Sequence, residues 1–490
     1  MRQVLSVASE CAPLVKTGGL ADVAGALPGA MAAEGWQLKT LLPGYPAVKK
    51  ALRRPKELRA EPDLMGGPAR LLAGKVAGLD LLVLDAPHLY DRPGSIYLGP
   101  NGKDWPDNPE RFAALSFMAA SIAAEGVGGW RPEVLHLHDW QTGLVPVYLH
   151  EMEASDRVGT LLTIHNIAFH GLAPAARLKA MRLPQWGFHP EGFEFYGQID
   201  ALKAGLKFSN KLSTVSPTYA RELMLPEFGM GLDGVLRARQ ADLVGILNGI
   251  DETVWDPKTD PAIANYKSPK KKSANRGRLI EEFGLTQTDG PLAVVISRLT
   301  EQKGLDLLLQ ALPQFVARGG QVALLGSGDA ALEKAWLEAA EAMPQVSARI
   351  GYDEPLSHRM MAGGDAVIVP SRFEPCGLTQ LYGLRYGAIP VVAMTGDEAA
   401  LSARNDVLTA WALLRAHDRW NKDAYRKRAL EIMSGVENSV VRASAYGPVI
   451  LPDAKGFERN DQYKLRLSDW IYPAFQRLAD ERREPWSGLI

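Results

Sequence analysis

Short apolar runs alternate along the chain with stretches whose apolar positions recur every three or four residues. Runs of the first kind fit strands, the second kind amphipathic helices, and their alternation predicts βαβ units on mostly parallel sheets. In the first half the strand candidates are Val4–Ala8, Leu38–Leu42, Leu79–Leu84, Val134–Leu137, Thr160–Ile164 and Lys211–Val215. The helix after the first strand shows Val23, Leu27, Ala30 and Met31 on one face and ends at Gly35. A second helix is expected to start at Asn108-Pro109, with asparagine as N-cap and proline in the first turn, and Phe112, Leu115, Ala119 and Ile122 forming its apolar face. Ser216-Pro217 opens another helix the same way.

The pattern then restarts. Leu292–Ile296 and Ala366–Val369 are near-continuous apolar runs, as expected of parallel strands covered on both faces, and Gln321–Leu325, Val346–Ile350 and Ile389–Ala393 complete five strands. Between the halves, Trp255–Lys272 is rich in proline and lysine, and its Lys270-Lys271-Lys272 run reads as a solvated loop. Two α/β domains follow, 1–245 and 246–490, each with ligand-binding loops expected beyond the carboxyl ends of its strands.

Composition narrows the function. The 490 residues carry a net charge of −1, without the basic field that a nucleic-acid binder needs. The only two cysteines, Cys11 and Cys376, are far apart, which points to a reducing, cytoplasmic setting rather than a disulfide framework. No apolar run is long enough to span a bilayer, and Glu10 interrupts the first apolar stretch too early for a signal peptide. There is no Gly-x-x-x-x-Gly-Lys-Ser/Thr loop.

Several segments carry candidate chemistry. Lys16-Thr17-Gly18-Gly19 lies between the first strand and first helix, where backbone N–H groups and the helix dipole can receive a phosphate. His136 and His138 alternate on one strand face, and with Asp139 they form a conceivable metal cluster. Arg298 and Lys303, five residues apart after a buried strand, can both reach one diphosphate and offset charge building on a leaving nucleotide. Gly326-Ser327-Gly328-Asp329-Ala330-Ala331 fits a dinucleotide fingerprint, although it follows the second strand of its domain instead of the first.

Read as whole strings, these segments resemble bacterial glycogen synthases and plant starch synthases. The match includes Lys16-Thr17-Gly18-Gly19-Leu20-Ala21-Asp22-Val23, His136-Leu137-His138-Asp139-Trp140-Gln141, Thr163-Ile164-His165-Asn166 and Gly245-Ile246-Leu247-Asn248-Gly249-Ile250-Asp251. Ser297-Arg298-Leu299-Thr300-Glu301-Gln302-Lys303-Gly304 and Glu374-Pro375-Cys376-Gly377-Leu378-Thr379-Gln380 extend it into the second half. The resemblance implies the GT-B fold, two Rossmann-like domains facing across a cleft. It implies a retaining transfer of glucose from ADP-glucose to an α-1,4-glucan such as glycogen, with no metal or other cofactor and with neither nucleic acid nor membrane as partner. It assigns catalytic roles to His165, Glu374, Arg298 and Lys303. Donor and phosphate contacts fall to Lys16, Gly18, Gly19, Asn248, Tyr352, Gly377, Leu378 and Thr379, and the sugar or acceptor cleft to Asp139, Asn166 and Tyr97.

The resemblance stops near residue 396. Where the family continues with a second Gly-Leu-Ala-Asp-Thr-Val, this chain reads Asp397-Glu398-Ala399-Ala400-Leu401. Leu408–Arg415 reads as helical, and 469–482 as a helix of the kind that GT-B proteins fold back across the cleft. The alternative function is therefore a catalytically impaired glucan- or nucleotide-binding protein.

Overall fold

A computed structural model describes residues 2–100, 102–268 and 271–393, with only short pieces between 423 and 450 beyond them. The helices expected at 408–415 and 469–482, and the altered turn at 397–401, lie outside the described residues. The chain divides into two compact units, Met1–Glu252 with Pro375–Leu378, and Thr253–Glu374 with Thr379–Ile490.

The first unit is built on β1 (Arg2–Val7), β2 (Trp36–Pro43), β3 (Lys56–Glu61), β4 (Ala69–Val76), β5 (Leu79–Asp85), β6 (Val134–His138) and β7 (Gly159–Ile164). A three-stranded sheet of β8 (Leu172–Pro174), β9 (Glu194–Phe195) and β10 (Gln198–Asp200) follows, then β11 (Lys211–Thr214) and β12 (Leu243–Gly245). The main sheet has the order β12-β11-β7-β6-β1-β2-β5-β4-β3. It is parallel except where β4 pairs antiparallel with β3 and β5. Leu5, Val7, Leu41, Leu135, Leu137 and Leu162 are fully buried, which accounts for the continuous apolar runs of the central strands.

The second helix, expected to be capped by Asn108, begins one residue earlier than that reading requires. Asp107 occupies the N-cap, and Asn108 is already helical. The Asn108 side chain instead donates to Tyr97 O at 3.0 Å and accepts from Arg111 Nη1 at 2.6 Å. Arg111 is almost wholly buried, and it also donates to Leu89 O and Ile96 O at 2.8 and 2.9 Å. A buried guanidinium needs such partners, and here they tie the short helix Pro87–Tyr90 and the loop at Ile96 and Tyr97 to one long helix. Ser216 is a true N-cap, accepting from Tyr219 N at 3.0 Å.

The second unit carries a five-stranded parallel sheet: β13 (Leu292–Ile296), β14 (Gln321–Gly326), β15 (Val346–Ile350), β16 (Ala366–Val369) and β17 (Ile389–Val392), in the order β15-β14-β13-β16-β17. Val295, Leu299, Leu305, Leu312, Leu324 and the fully buried Trp336 form the core between this sheet and its helices. A further antiparallel pair, β18 (Val441–Ser444) with β19 (Gly447–Ile450), stands apart from it in sequence.

The segment read as a solvated loop is corrected at Lys272. Its side chain is buried, and Nζ donates to Met361 O and Gly364 O at 3.1 and 2.7 Å. The ammonium caps the carbonyl end of the helix Glu354–Gly363, where the helix dipole favours a cation. Trp255, in the same segment, stacks between His358 and Tyr382 with ring centroids 3.9 and 3.8 Å away. Asp260 accepts from Tyr386 Oη at 2.5 Å and pairs with His358 Nδ1 at 2.7 Å. This connecting stretch is thus anchored by buried polar and aromatic contacts.

Candidate active site

In the first sheet, strand order reverses between β1 and β6: β2 continues from β1 on one side and β7 from β6 on the other. Such a switch point leaves a crevice at the carboxyl ends of the strands. The loop after β1 carries Lys16, Gly18 and Gly19, and the loop after β6 begins at Asp139.

The β1 loop is held from inside. Glu10 accepts from Thr17 Oγ1 at 3.0 Å and from the Thr17 backbone N–H. Tyr97 Oη donates to Glu10 Oε1 at 3.2 Å and lies 2.7 Å from Ser9 Oγ. Burial pushes the Glu10 carboxyl above its ordinary range, although its hydrogen bonds with Thr17 and Tyr97 pull the other way. Gly18 is the extended N-cap of the helix Gly19–Ala33, and Lys16 pairs with Asp22 at 2.8 Å. Tyr97 is therefore joined to the glycine loop, while Asn248, past β12, bonds through its N–H to Val215 O at 3.3 Å.

Asp139 and His165 form the second half of this site. Asp139 takes a positive φ of 56°, and its carboxylate accepts from His165 N at 2.6 Å and Asn166 N at 3.3 Å. The carboxylate thus sets the backbone where β7 ends, placing Asn166 and His165 side by side. His138 Nδ1 lies 2.9 Å from His165 Nε2, and His138 Nε2 lies 3.1 Å from Ser6 Oγ. His136 Nε2 contacts Thr163 Oγ1 at 2.7 Å. Burial pulls the His136 imidazolium down to about 4 and His165 to about 3, the latter with repulsion from His136 adding to it. His138 is also pulled well below the usual range, by burial and then by His136 and His165. The three rings are neutral near pH 7; His136 and His138 each meet a hydroxyl, and His138 also meets His165. Among the described residues, no group of three metal-ligating side chains is arranged to hold a metal ion.

The second sheet reverses between β13 and β16. Arg298 and Lys303 follow β13, and Ser371 and Glu374 follow β16. The two loops meet: Lys303 Nζ lies 2.8 Å from Glu374 Oε2, to which Ser371 Oγ also donates at 2.7 Å. Arg372 N donates to Gln302 O at 2.8 Å, locking the loop backbones together. Gly304 has a φ of 63°, and a Cβ there would come within 2.0 Å of Pro370 O, so close approach requires glycine. Arg298 is exposed on its loop, Tyr352 is exposed beyond β15, and Gly377 precedes the helix Leu378–Tyr386 that holds Leu378 and Thr379.

The rival dinucleotide fingerprint resolves into a capped helix. Asp329 accepts from Ala331 N and Leu332 N at 2.9 and 3.1 Å, and Glu333 accepts from Gly328 N at 2.8 Å. These are the N–H groups that would otherwise cradle a phosphate.

The fold and both switch-point sites define a GT-B glycosyltransferase. Residues 3–238 match the starch synthase catalytic domain, and 290–416 match glycosyl transferases group 1. The glycogen synthase of Paracoccus denitrificans is 63% identical over 399 residues, covering 81% of this chain and 84% of that one. That of Jannaschia sp. is 60% identical over 402 residues, with 81% and 84% covered. The catalytic domain of starch synthase IV from Arabidopsis thaliana, bound to ADP and acarbose, superposes with a TM-score of 0.74 at 29% identity, covering 88% of this chain and 95% of that one. The chain belongs to the family of glycogen and starch synthases. Its end is different: residues 380–490 match glycosyl hydrolases family 8.

Proposed function

We propose that the protein transfers glucose from ADP-glucose to the non-reducing end of an α-1,4-glucan, with retention of configuration, in glycogen synthesis. The observation that carries this reading is the meeting of Lys303 with Glu374 at the switch point of the second sheet. A cation there can take a diphosphate, and a carboxylate beside it can accept hydrogen bonds from sugar hydroxyls. In the solved relative, starch synthase IV, ADP is bound.

In this reading, Arg298 and Lys303 hold the diphosphate and stabilise the charge that grows on ADP as the glycosidic bond breaks. When Lys303 turns to phosphate, Glu374 is released to the glucose, with Ser371 still fixing one of its oxygens. In this reading Lys16, Gly18 and Gly19 also make phosphate contacts, as do Gly377, Leu378 and Thr379 at the opening of their helix. Asn248 and Tyr352 complete the donor contacts. In the same reading His165 and Asn166, set by Asp139, contact the sugar, and Tyr97 serves the acceptor cleft. The proposed reaction requires no metal or cofactor and takes place in the cytoplasm, with a nucleotide sugar and a glucan as its partners. Among the described residues no helix is long and apolar enough to cross a membrane.

Transfer of labelled glucose to glycogen, from ADP-glucose and UDP-glucose in parallel, tests the reading. Preferential transfer from ADP-glucose supports it, while equal or greater transfer from UDP-glucose overturns the donor assignment.

A second reading rests on the tail. Residues 380–490 match a different family. If that segment does not complete the donor site, the protein binds glucan or nucleotide without turnover. Glycogen cosedimentation by a folded protein that transfers from neither donor is the result that would favour it.

A further inference from the structure

The hydrogen-bond row from Ser6 through His138 to His165 has only one arrangement of protons that satisfies every buried atom. Ser6 lies in β1, and its side chain is wholly shielded from water. Among the described residues, its only side-chain partner is His138 Nε2 at 3.1 Å. His138 is equally buried, and its other nitrogen faces His165 Nε2 at 2.9 Å. A neutral imidazole has one N–H and one lone pair. If His138 donated from Nε2, the Ser6 hydroxyl hydrogen would be buried without an acceptor, a costly arrangement. If Ser6 donates instead, His138 Nε2 accepts and its Nδ1–H points at His165. His165 must then accept on Nε2 and carry its own proton on Nδ1.

We infer that Ser6 and His138 are positioning residues that hold His165 in its Nδ1–H tautomer, so that it offers a neutral hydrogen-bond donor to the ligand side. His165 Nδ1 has no side-chain or backbone partner among the described residues, and the residue keeps 8% of its surface exposed. Burial keeps both rings uncharged, so the proton count that the argument needs holds near pH 7. A donor on Nδ1 recognises an oxygen acceptor, such as a sugar hydroxyl or a glycosidic or phosphate oxygen. The other tautomer would present a lone pair to the same atom. Because Asp139 fixes the His165 backbone separately, the row governs ring protonation and not loop position. The consequence for transfer rests on the proposed sugar contact of His165; the tautomer itself does not.

Long-range proton–nitrogen NMR of the ligand-free protein with 15N-histidine tests this directly, with the signals assigned through His165→Gln and His138→Gln. The expected result is protonated Nδ1 and bare Nε2 on both His138 and His165, and mixed tautomers for His165 in Ser6→Ala. Ser6→Thr, which keeps the hydroxyl, should restore the parent pattern. Protonated Nε2 on His165 in the parent, or an unchanged pattern in Ser6→Ala, overturns the inference. In the transfer assay Ser6→Ala should lower kcat about fivefold, roughly the rate worth of one ordinary hydrogen bond, with KM for the donor little changed. A shifted tautomer with unchanged kcat would uphold the positioning inference and overturn the sugar-contact reading of His165.

Discussion

The two switch points hold their polar groups in opposite ways. In the first sheet, His165 is buried, neutral and fixed on two sides, by the Asp139 carboxylate at its backbone and by His138 at its ring. In the second, Lys303 and Glu374 are charged, only partly buried, and paired with each other. A neutral buried network is already organised before a ligand arrives, so it can supply direction without reorganisation. An ion pair at a half-open site can exchange partners, and a diphosphate with a sugar attached offers both charges a replacement. The first region suits orientation, the second charge compensation.

The largest effect should come from breaking the second. Glu374→Ala and Lys303→Ala should each reduce turnover by roughly 10²–10³-fold, the scale for removing one preorganised charge-stabilising group. Initial rates that stay within about twofold of the parent would remove these assignments. Lys303→Ala should also weaken ADP binding by calorimetry, whereas Glu374→Ala should not.

Asp139→Asn sharpens the comparison from the other side. It keeps the shape but weakens two charge-assisted hydrogen bonds, from His165 N and Asn166 N. Turnover should fall by about tenfold to thirtyfold with little change in ADP affinity. Equal losses in both would show that the first site is not separable from nucleotide binding.

Lys272→Ala concerns stability alone. It leaves the carbonyls of Met361 and Gly364 without their buried donor and should cost about 2 kcal/mol in urea unfolding. The KM for the donor should not move.

The last effect is a pH dependence of the first site, read in stability and not in turnover. His136 and His165 take up protons less readily in the folded protein than in the unfolded chain. The unfolded state therefore binds more protons below about 6.5, and stability falls as pH drops from there through about 4 toward 3. Above that window their contribution is constant. Unfolding midpoints measured from pH 7 to 4 should decline less steeply in His136→Gln than in the parent.

The parallel strands were legible because each is an apolar run that must be covered on both faces. The antiparallel edge was not. Lys56–Glu61 reads as six mostly polar residues, and its exposure at the end of the sheet explains why no apolar signal marks it. The short strands Leu172–Pro174, Glu194–Phe195 and Gln198–Asp200 are set by their pairing and leave no periodicity to detect. Lys272 looked like one more cation in a basic run, since nothing local tells that a helix end waits for it.

The site was legible as strings, and its wiring was not. Arg298, Lys303, His165 and Glu374 stood out through resemblance, and spacing alone placed Arg298 and Lys303 on one loop. Ser6 and the Asp139 clamp act between segments far apart in sequence, and Ser371 acts on Glu374 within one loop that leaves no pattern of its own. The available signal was positional: a small polar residue inside a buried first strand, and an acid just past the strand beside it.

The most direct test compares labelled-glucose transfer from ADP-glucose to glycogen by the parent chain and by Glu374→Ala, each first shown to be folded. The account predicts robust transfer by the parent and a loss of at least about a hundredfold in the variant. A folded parent that binds glycogen yet transfers no more glucose than its variant would contradict it, and would assign the chain to binding without turnover.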